Sequence, residues 1–371
     1  MRNVPAYLEI YNDLYLKIMK GEFADGEQLM TEMELCNKYF VSRITVQKAL
    51  NLLVEKGLIT RISGKGTFVN MFPKTENVER KEFVALVLSG FDVSFGLDLI
   101  KGAERYCSSC GYNLVLLDSH SDKQQEDRIL KDLSSNSKIS GIMLQSVPDE
   151  YFSNEILKLS IQKYPLVLLD RNLEGISLPF VGTDNKAICE KTVDKLIKLG
   201  HTEICFVSPD IKNNTSLKDR FEGLCNAQYR NNLIGRAEKH FMNIKSSING
   251  TEESLEEDVC ALIDHLNLHP EITCILSAEY AEFRVVMKAL SRMKKRIPDD
   301  ISVVTFDNVV DSVLGNNISY IKQNEIQIGQ KAAEILIKSI VGISQNSKIY
   351  ISADYIENNS VKALRPSFES R

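Results

Sequence analysis

The residues best suited to chemistry fall into two sets. In the first, Ser42-Arg43-Ile44-Thr45-Val46-Gln47-Lys48 places a capping hydroxyl ahead of a guanidinium, a second hydroxyl, an amide and an ammonium. Val46, Ala49, Leu50 and Leu53 recur at helical spacing and form an inward stripe, so Arg43, Gln47, Lys48 and Asn51 project elsewhere. A guanidinium can grip guanine through two hydrogen bonds and an amide can do the same for adenine. A helix presenting both suits the major groove of duplex DNA. In the second set, polar groups follow apolar runs. Asp92 and Phe95 come after 83–88, Asp170 and Arg171 after 166–169, and Glu279 after 274–276, with Asp307 and Gln323 near expected crossovers between two lobes. Charged planar groups that engage adjacent hydroxyls, with a ring to cover a weakly apolar face, are what a small polyhydroxylated molecule requires. Buried polar groups left unpaired by the wrong molecule would supply the selectivity.

Other reactive residues form no constellation. His201 follows Leu199-Gly200 at a helix end, where an imidazolium would complement the helix C-terminus. His120, His240, His265 and His269 show no metal-ligand spacing. Of eight cysteines, only Cys107 and Cys110 have metal or redox spacing. They close a helical pattern before Gly111 instead of opening a helix, where a thiol would be acidified. No second pair completes a zinc site, and the cysteines read as buried and structural. No catalytic residue, metal or cofactor is expected. Asp184 reads as a helix cap, and the run Glu252, Glu253, Glu256, Glu257 and Asp258 as a solvated face.

These residues need elements to hold them. Thr31 and Glu34 form a capping box, a turn falls at Phe40-Val41, and the Ser42-capped helix stops at Gly57. Upstream, Pro5 suits a first helical position, and the stripe Tyr7, Ile10, Tyr11, Leu14 and Ile18 ends at Gly21. Downstream, 58–62 and 67–69 flank the turn Ser63-Gly64-Lys65-Gly66 as a hairpin. Residues 1–70 therefore read as a winged helix-turn-helix, and 71–81 as a polar linker. From Phe83 a cadence begins. Apolar strands at 83–88, 114–117, 141–144 and 166–169, then at 204–207, 274–276 and 301–304, alternate with helices at 95–110, 123–134, 186–199, 215–230, 252–266 and 280–292. The fold class is α/β. Residues 82–371 form a two-lobed, doubly wound parallel-sheet domain with its ligand cleft beyond the strands' carboxyl ends.

Composition fits this division. The chain has 371 residues, 43% hydrophobic content and a net charge of −5. Residues 1–75 carry ten basic against eight acidic side chains, while the remainder is acidic on balance, so DNA contact belongs at the front. No run of eighteen apolar residues spans a membrane. Glu9, Asp13 and Lys17 interrupt any signal peptide, so a cytoplasmic location is expected.

The stretch Gly26 to Val69, with Ser42-Arg43-Ile44-Thr45-Val46 and Gly64-Lys65-Gly66-Thr67-Phe68-Val69, resembles the DNA-binding domain of the GntR family of bacterial regulators. The resemblance implies DNA contacts at Thr31, Arg43, Thr45, Gln47 and the wing tip at Lys65 and Gly66. Glu32, Ser42 and Lys48 are counted with them. Met33 and Gln47 stand where that family often has arginine. Residues 82–360 resemble the effector domain of LacI/GalR regulators, on Gly182-Thr183-Asp184-Asn185, Leu199-Gly200-His201, Asp219-Arg220-Phe221-Glu222-Gly223, the run Ile297 to Asn308, and Ile328-Gly329. That resemblance implies effector contacts by Asp170, Arg220 and Glu279, with Phe95 as the stacking ring. Glu279 stands where the family usually has aspartate. The two parts joined in one chain are similar to the arabinose-repressor group. The grouping implies a homodimer on a pseudo-palindromic operator, released by a small sugar such as L-arabinose. Another sugar, a sugar phosphate or a purine is the alternative effector, although no glycine-rich phosphate loop flanks the expected cleft. An enzyme-derived, aminotransferase-like domain would need a longer chain and a lysine in recognisable pyridoxal context.

Overall fold

The computed structural model describes residues 6–19, 23–24, 26–55, 57–62, 64–70, 83–148, 153–246, 250–307, 317–343 and 347–364. The chain divides into two compact units, Met1–Arg80 and Lys81–Arg371. Pro5, Gly21, Ser63, Asn308 and the expected linker 71–81 lie outside the described residues.

The first unit comprises α1 (Ala6–Met19), α2 (Glu32–Tyr39), α3 (Arg43–Glu55) and an antiparallel hairpin of β1 (Ile59–Ile62) and β2 (Gly66–Val69). Local chemistry sets each boundary. Thr31 accepts from the Glu34 amide at 3.3 Å while the Glu34 carboxylate takes the Thr31 amide at 2.7 Å, so two free N–H groups of α2 are satisfied together. Phe40 ends α2 in the left-handed region at φ 52°. Ser42 Oγ accepts from the Thr45 amide at 3.3 Å to start α3. The apolar stripes of all three helices meet the hairpin in one core that includes Ile10, Leu14, Leu35, Val46, Leu50, Leu53, Leu58 and Val69.

The second unit has two lobes. The first lobe is an all-parallel sheet of β3 (Phe83–Leu88), β4 (Asn113–Asp118), β5 (Ile139–Leu144), β6 (Leu166–Leu169), β7 (Phe180–Thr183) and β13 (Lys348–Ile351), in the order β13-β7-β6-β5-β3-β4. Its helices are α4 (Leu97–Ser109), α5 (Lys123–Ser135), α6 (Asn154–Ile161) and α12 (Glu325–Ile340). The second lobe holds β8 (Ile204–Ser208), β9 (Phe241–Asn243), β10 (Cys274–Ser277), β11 (Ser302–Phe306), β12 (Ser319–Lys322) and β14 (Asp354–Ile356), in the order β14-β12-β11-β10-β8-β9, with β14 alone antiparallel. Its helices are α7 (Asn185–Lys198), α8 (Thr215–Arg230), α9 (Arg236–Lys239), α10 (Glu252–Leu268) and α11 (Tyr280–Arg292).

Continuous apolar strands are explained by burial on both faces. Val84, Leu86 and Leu88 pack with α4 and α12, whereas Ala85 and Val87 pack with α5 and α6. Ile204 and Phe206 likewise face α7 and α8, while Cys205 and Val207 face α10 and α11. Helices α4 and α12 touch backbone to backbone: a Cβ on Gly329 would stand 2.1 Å from the Leu99 carbonyl, and one on Gly102 2.1 Å from that of Ile326. Among the described residues three crossovers join the lobes, after β7 at Asp184, after β12 at Gln323-Asn324, and between β13 and β14.

Several expectations need correction. Five short strands, β7, β9, β12, β13 and β14, and the whole of α12, were not marked by an uninterrupted apolar run. His201 is fully buried; its Nε2–H donates to the Lys362 carbonyl and its Nδ1 accepts from Thr273 Oγ1, at 2.9 Å each. Burial lowers its pKa, so it serves as a neutral core link and not as a cationic helix complement. Cys107 is buried, its thiol pushed up to about 12 by desolvation, but Cys36, Cys110 and Cys225 are half-buried and Cys260 is exposed. His240, His265 and His269 come within ligand reach of one another, which their spacing does not show because His240 lies 25 and 29 residues before the other two.

Candidate functional site

Between the lobes of the second unit lies a cleft at the carboxyl ends of the strands, where ligands of such folds bind. Asp92, Phe95, Asp170, Arg171, Arg220, Glu279, Asp307 and Gln323 all line it. The strand ends bring them there. Asp170 and Asp307 follow β6 and β11 in opposite lobes, and both adopt left-handed backbone, at φ 59° and 57°. Aspartate tolerates that region better than bulky residues do, and the two turns aim their carboxylates inward.

Arg220 enters from the second turn of α8, the helix expected at 215–230. Gly223 makes this possible: a Cβ there would stand 2.6 Å from the Lys186 carbonyl, so α7 and α8 cross closely. Arg220 Nε then donates to Asn185 Oδ1 at 2.8 Å, Nη1 donates to the Ala278 carbonyl at 2.5 Å, and the guanidinium lies 3.9 Å from the centroid of Phe306. The side chain is held on three sides while only 2% of the residue is exposed.

On the opposite wall Arg171 Nη1 donates to Ser89 Oγ at 2.8 Å and Ser89 Oγ donates to Gln145 Oε1 at 3.2 Å. Gln145 Nε2 in turn donates to Asp170 Oδ2 at 2.9 Å. Among the described residues, Asp170 Oδ1 and Arg171 Nε are buried without hydrogen-bond partners. At the crossovers Gln323 joins both lobes, accepting from Thr183 Oγ1 at 2.6 Å and donating to Asp307 Oδ2 at 2.8 Å. Burial, more than the neighbouring charges, pushes the Asp307 carboxyl up to about 8, so it is a neutral acid at pH 7. Glu282, in the first turn of α11, is raised for the same reason and next by Glu279 beside it. The lobes also touch directly, through Ser216 Oγ to the Asp170 carbonyl at 2.6 Å and the Asn172 amide to Thr215 Oγ1 at 2.9 Å.

Asp92 departs from the expected use. Its Oδ1 accepts from the Ser94 amide at 2.6 Å and the Phe95 amide at 3.3 Å, so much of its capacity goes into shaping its own loop. Reasoning from sequence missed Ser89, Gln145, Phe91, Tyr280 and Asn185. The first three follow strands β3 and β5, and a search of every strand end would have found them. Asn185 needed knowledge of the α7–α8 crossing.

In the first unit the expected DNA-contacting residues cluster on α2, α3 and the wing. Glu32 binds Arg43 Nε at 2.7 Å, Gln47 Nε2 at 3.1 Å and Arg61 Nη2 at 3.2 Å, and the Arg43 bond lowers its pKa. It is thus the fastener of the surface groups around it. Ser42 and Thr45 share a 2.9 Å hydroxyl pair, Thr31 is committed to its capping box, and Lys48 lies 4.4 Å from the centroid of Tyr7. Lys65 is exposed at the wing tip, where its carbonyl accepts from Gln28 and Gly66 has φ 127°. Ile44, missed from sequence, is 78% exposed beside Arg43. An apolar group there suits a thymine methyl. Among the described residues, no helix is long and apolar enough to cross a membrane.

Comparison with known proteins agrees with both units. Residues 81–359 match the model for periplasmic binding proteins and the sugar binding domain of the LacI family. Residues 6–69 match that for bacterial regulatory proteins of the gntR family. The arabinose metabolism transcriptional repressor of Geobacillus stearothermophilus is 25% identical over 98% of this chain and 99% of its own. Its namesake from Halalkalibacterium halodurans is 26% identical over 87% and 86%. A LacI-family regulatory protein from Chloroflexus aggregans superposes with a TM-score of 0.65 at 21% identity, covering 76% of this chain and 99% of its own. The chain therefore belongs to the LacI family of periplasmic-binding-protein-like sugar-binding domains and carries a gntR-type head, which makes it a transcription regulator and not an enzyme.

Proposed function

We propose that this protein is a cytoplasmic repressor of a sugar-utilisation operon. On this reading residues 1–70 grip operator DNA, residues 82–371 sense the effector and dimerise, and a small sugar such as L-arabinose in the cleft releases the operator. The names of the two full-length relatives support the arabinose assignment.

The observation that carries the reading is the make-up of the cleft. Asp92, Asp170, Glu279 and Asp307 line it against Arg171 and Arg220, with Phe91, Phe95 and Tyr280 as rings. A phosphate would meet more carboxylates than guanidinium groups, at a cost that low local dielectric magnifies. A neutral polyol suffers no such repulsion. Its hydroxyls can donate to Asp170 Oδ1, accept from Arg171 Nε, and accept from the neutral Asp307 carboxyl. Each of these would otherwise stand unpaired or under-used.

Switching requires the sugar to favour the DNA-releasing state; full reversal of a strongly biased equilibrium takes roughly 5.5 kcal/mol of differential affinity. Calorimetry with L-arabinose, other pentoses, hexoses, ribose 5-phosphate and purines, followed by operator titration with and without each ligand, tests the proposal. Heat from L-arabinose or a related neutral sugar, with loss of operator affinity, supports it. Binding confined to the phosphate or the purines would reject a sugar effector. Analytical ultracentrifugation tests the dimer, and a monomer at operator-binding concentrations would reject it.

A further inference from the structure

Away from the cleft, three histidines remote in sequence meet on the second lobe. His240 caps the end of α9 just before the edge strand β9, while His265 and His269 lie in the last turn and at the cap of α10. One imidazole nitrogen from each falls within 4.8 Å of the others. His240 has no exposed surface, yet among the described residues its Nδ1 has no hydrogen-bond partner, and the Nε2 of His265 is also buried and unpartnered. Two orphaned imidazole nitrogens in one cluster call for a shared partner.

Carboxylates hold the opposite ring nitrogens. His240 Nε2 is 2.9 Å from Glu203 Oε2, and His269 Nδ1 is 3.2 Å from Glu271 Oε1. With its Nε2–H given to Glu203, His240 presents a lone pair at Nδ1. A carboxylate behind the imidazole is the arrangement that fixes tautomer and ring orientation for metal binding. It is present here on two of the three rings.

We propose that His240, His265 and His269 bind one divalent transition-metal ion of the zinc class. Imidazole donors suit zinc, nickel, cobalt or copper, whereas magnesium and calcium require oxygen donors. Tetrahedral binding at about 2.1 Å places ligand nitrogens about 3.4 Å apart, so a cluster within 4.8 Å must contract by up to about 1.4 Å at its widest. A water can complete the shell. Glu271 is also near, its Oε1 standing 3.9 Å from His240 Nε2, but it is already paired with Lys239 at 2.6 Å. The ion fastens the end of α10 to the edge of the second sheet. None of the three histidines lines the cleft, so the site acts on lobe stability and leaves effector binding alone. It stands independently of which effector the protein recognises.

The test uses the untagged full-length chain, freed of metal with EDTA and titrated with Co²⁺ and then Zn²⁺. The expected result is one equivalent bound per chain, with the visible absorption of tetrahedral cobalt and no thiolate charge-transfer band. Zn²⁺, but not Mg²⁺ or Ca²⁺, should raise Tm, and EDTA should reverse the rise. The variants His265→Ala and His269→Ala should each weaken binding about tenfold or more. Unchanged circular dichroism and sugar titration would show that they remain folded, and His269 sits at a half-exposed helix end where truncation is easily tolerated. No binding by the unaltered chain, a thiolate band, or undiminished affinity in both variants would overturn the proposal.

Discussion

In the front unit Arg43 stands in solvent, tied to Glu32 by an ion pair of 2.7 Å between exposed and half-buried partners. In the back unit Arg220 is almost wholly buried and clasped by Asn185, the Ala278 carbonyl and the Phe306 ring. The contrast reflects what each arginine is placed to meet. A surface ion pair contributes about 0–1 kcal/mol, so Arg43 can exchange Glu32 for a base or a phosphate at little cost. Arg220 is already desolvated and oriented, and an entering ligand need not order it. Adaptability suits a reader of varied DNA surfaces, and fixity suits discrimination among small molecules that differ by one hydroxyl.

The sharpest way to break this comparison is Arg220→Ala. Truncating one partner of a buried charged network costs about 2–5 kcal/mol, so sugar affinity should fall by roughly 30-fold or more in calorimetry while operator affinity holds. A variant that lost DNA binding and kept its sugar response would place the effector elsewhere. The next test concerns Asp307, whose raised pKa is a stability statement. A carboxyl neutral in the fold up to about 8 contributes stability that is fully present below the ordinary aspartate range and lost as pH rises through about 8. Urea unfolding should show the unaltered chain losing up to about 1.4 kcal/mol per pH unit relative to Asp307→Asn between pH 5 and 7. Parallel curves would mean that Asp307 is ionised in the fold.

Arg43→Ala should cost about 1–3 kcal/mol at one operator base pair and relax selectivity there. A uniform loss over all sequences, read in a binding-site selection, would mean a phosphate contact instead. The smallest effect belongs to Glu32→Gln. Loosening the clamp on Arg43, Gln47 and Arg61 should change stability by less than about 1 kcal/mol and make operator binding less dependent on sequence. A large loss of stability by thermal melting would show that the clamp holds the head together.

Much of this was legible beforehand because it rests on local rules. The Thr31–Glu34 box, the Ser42 start and the strands from Phe83 to Val304 follow from spacing that any neighbour must respect. The cleft set could be read because parallel strands deliver their last residues to one edge, wherever the helices go. What could not be read depended on pieces meeting from afar. His201 looked like a helix-end cation until Thr273 and Lys362 closed over it, and Asn185 gained its role from the approach of α8 across Gly223. Strands such as β9 and β14, of three residues each, carry too few apolar positions to show a period.

The contact between α4 and α12 has a bearing on how the protein is made. One helix lies near the start of the second unit and the other, Glu325–Ile340, near its end, yet α12 covers the sheet face formed by Val84, Leu86 and Leu88. As the ribosome delivers the chain, the first lobe must wait with that face covered by α4 alone, while all but the edge strand of the second lobe has already emerged. The later-coded lobe can therefore be the earlier to fold. A nascent chain stalled before residue 325 would be the species in greatest need of a chaperone.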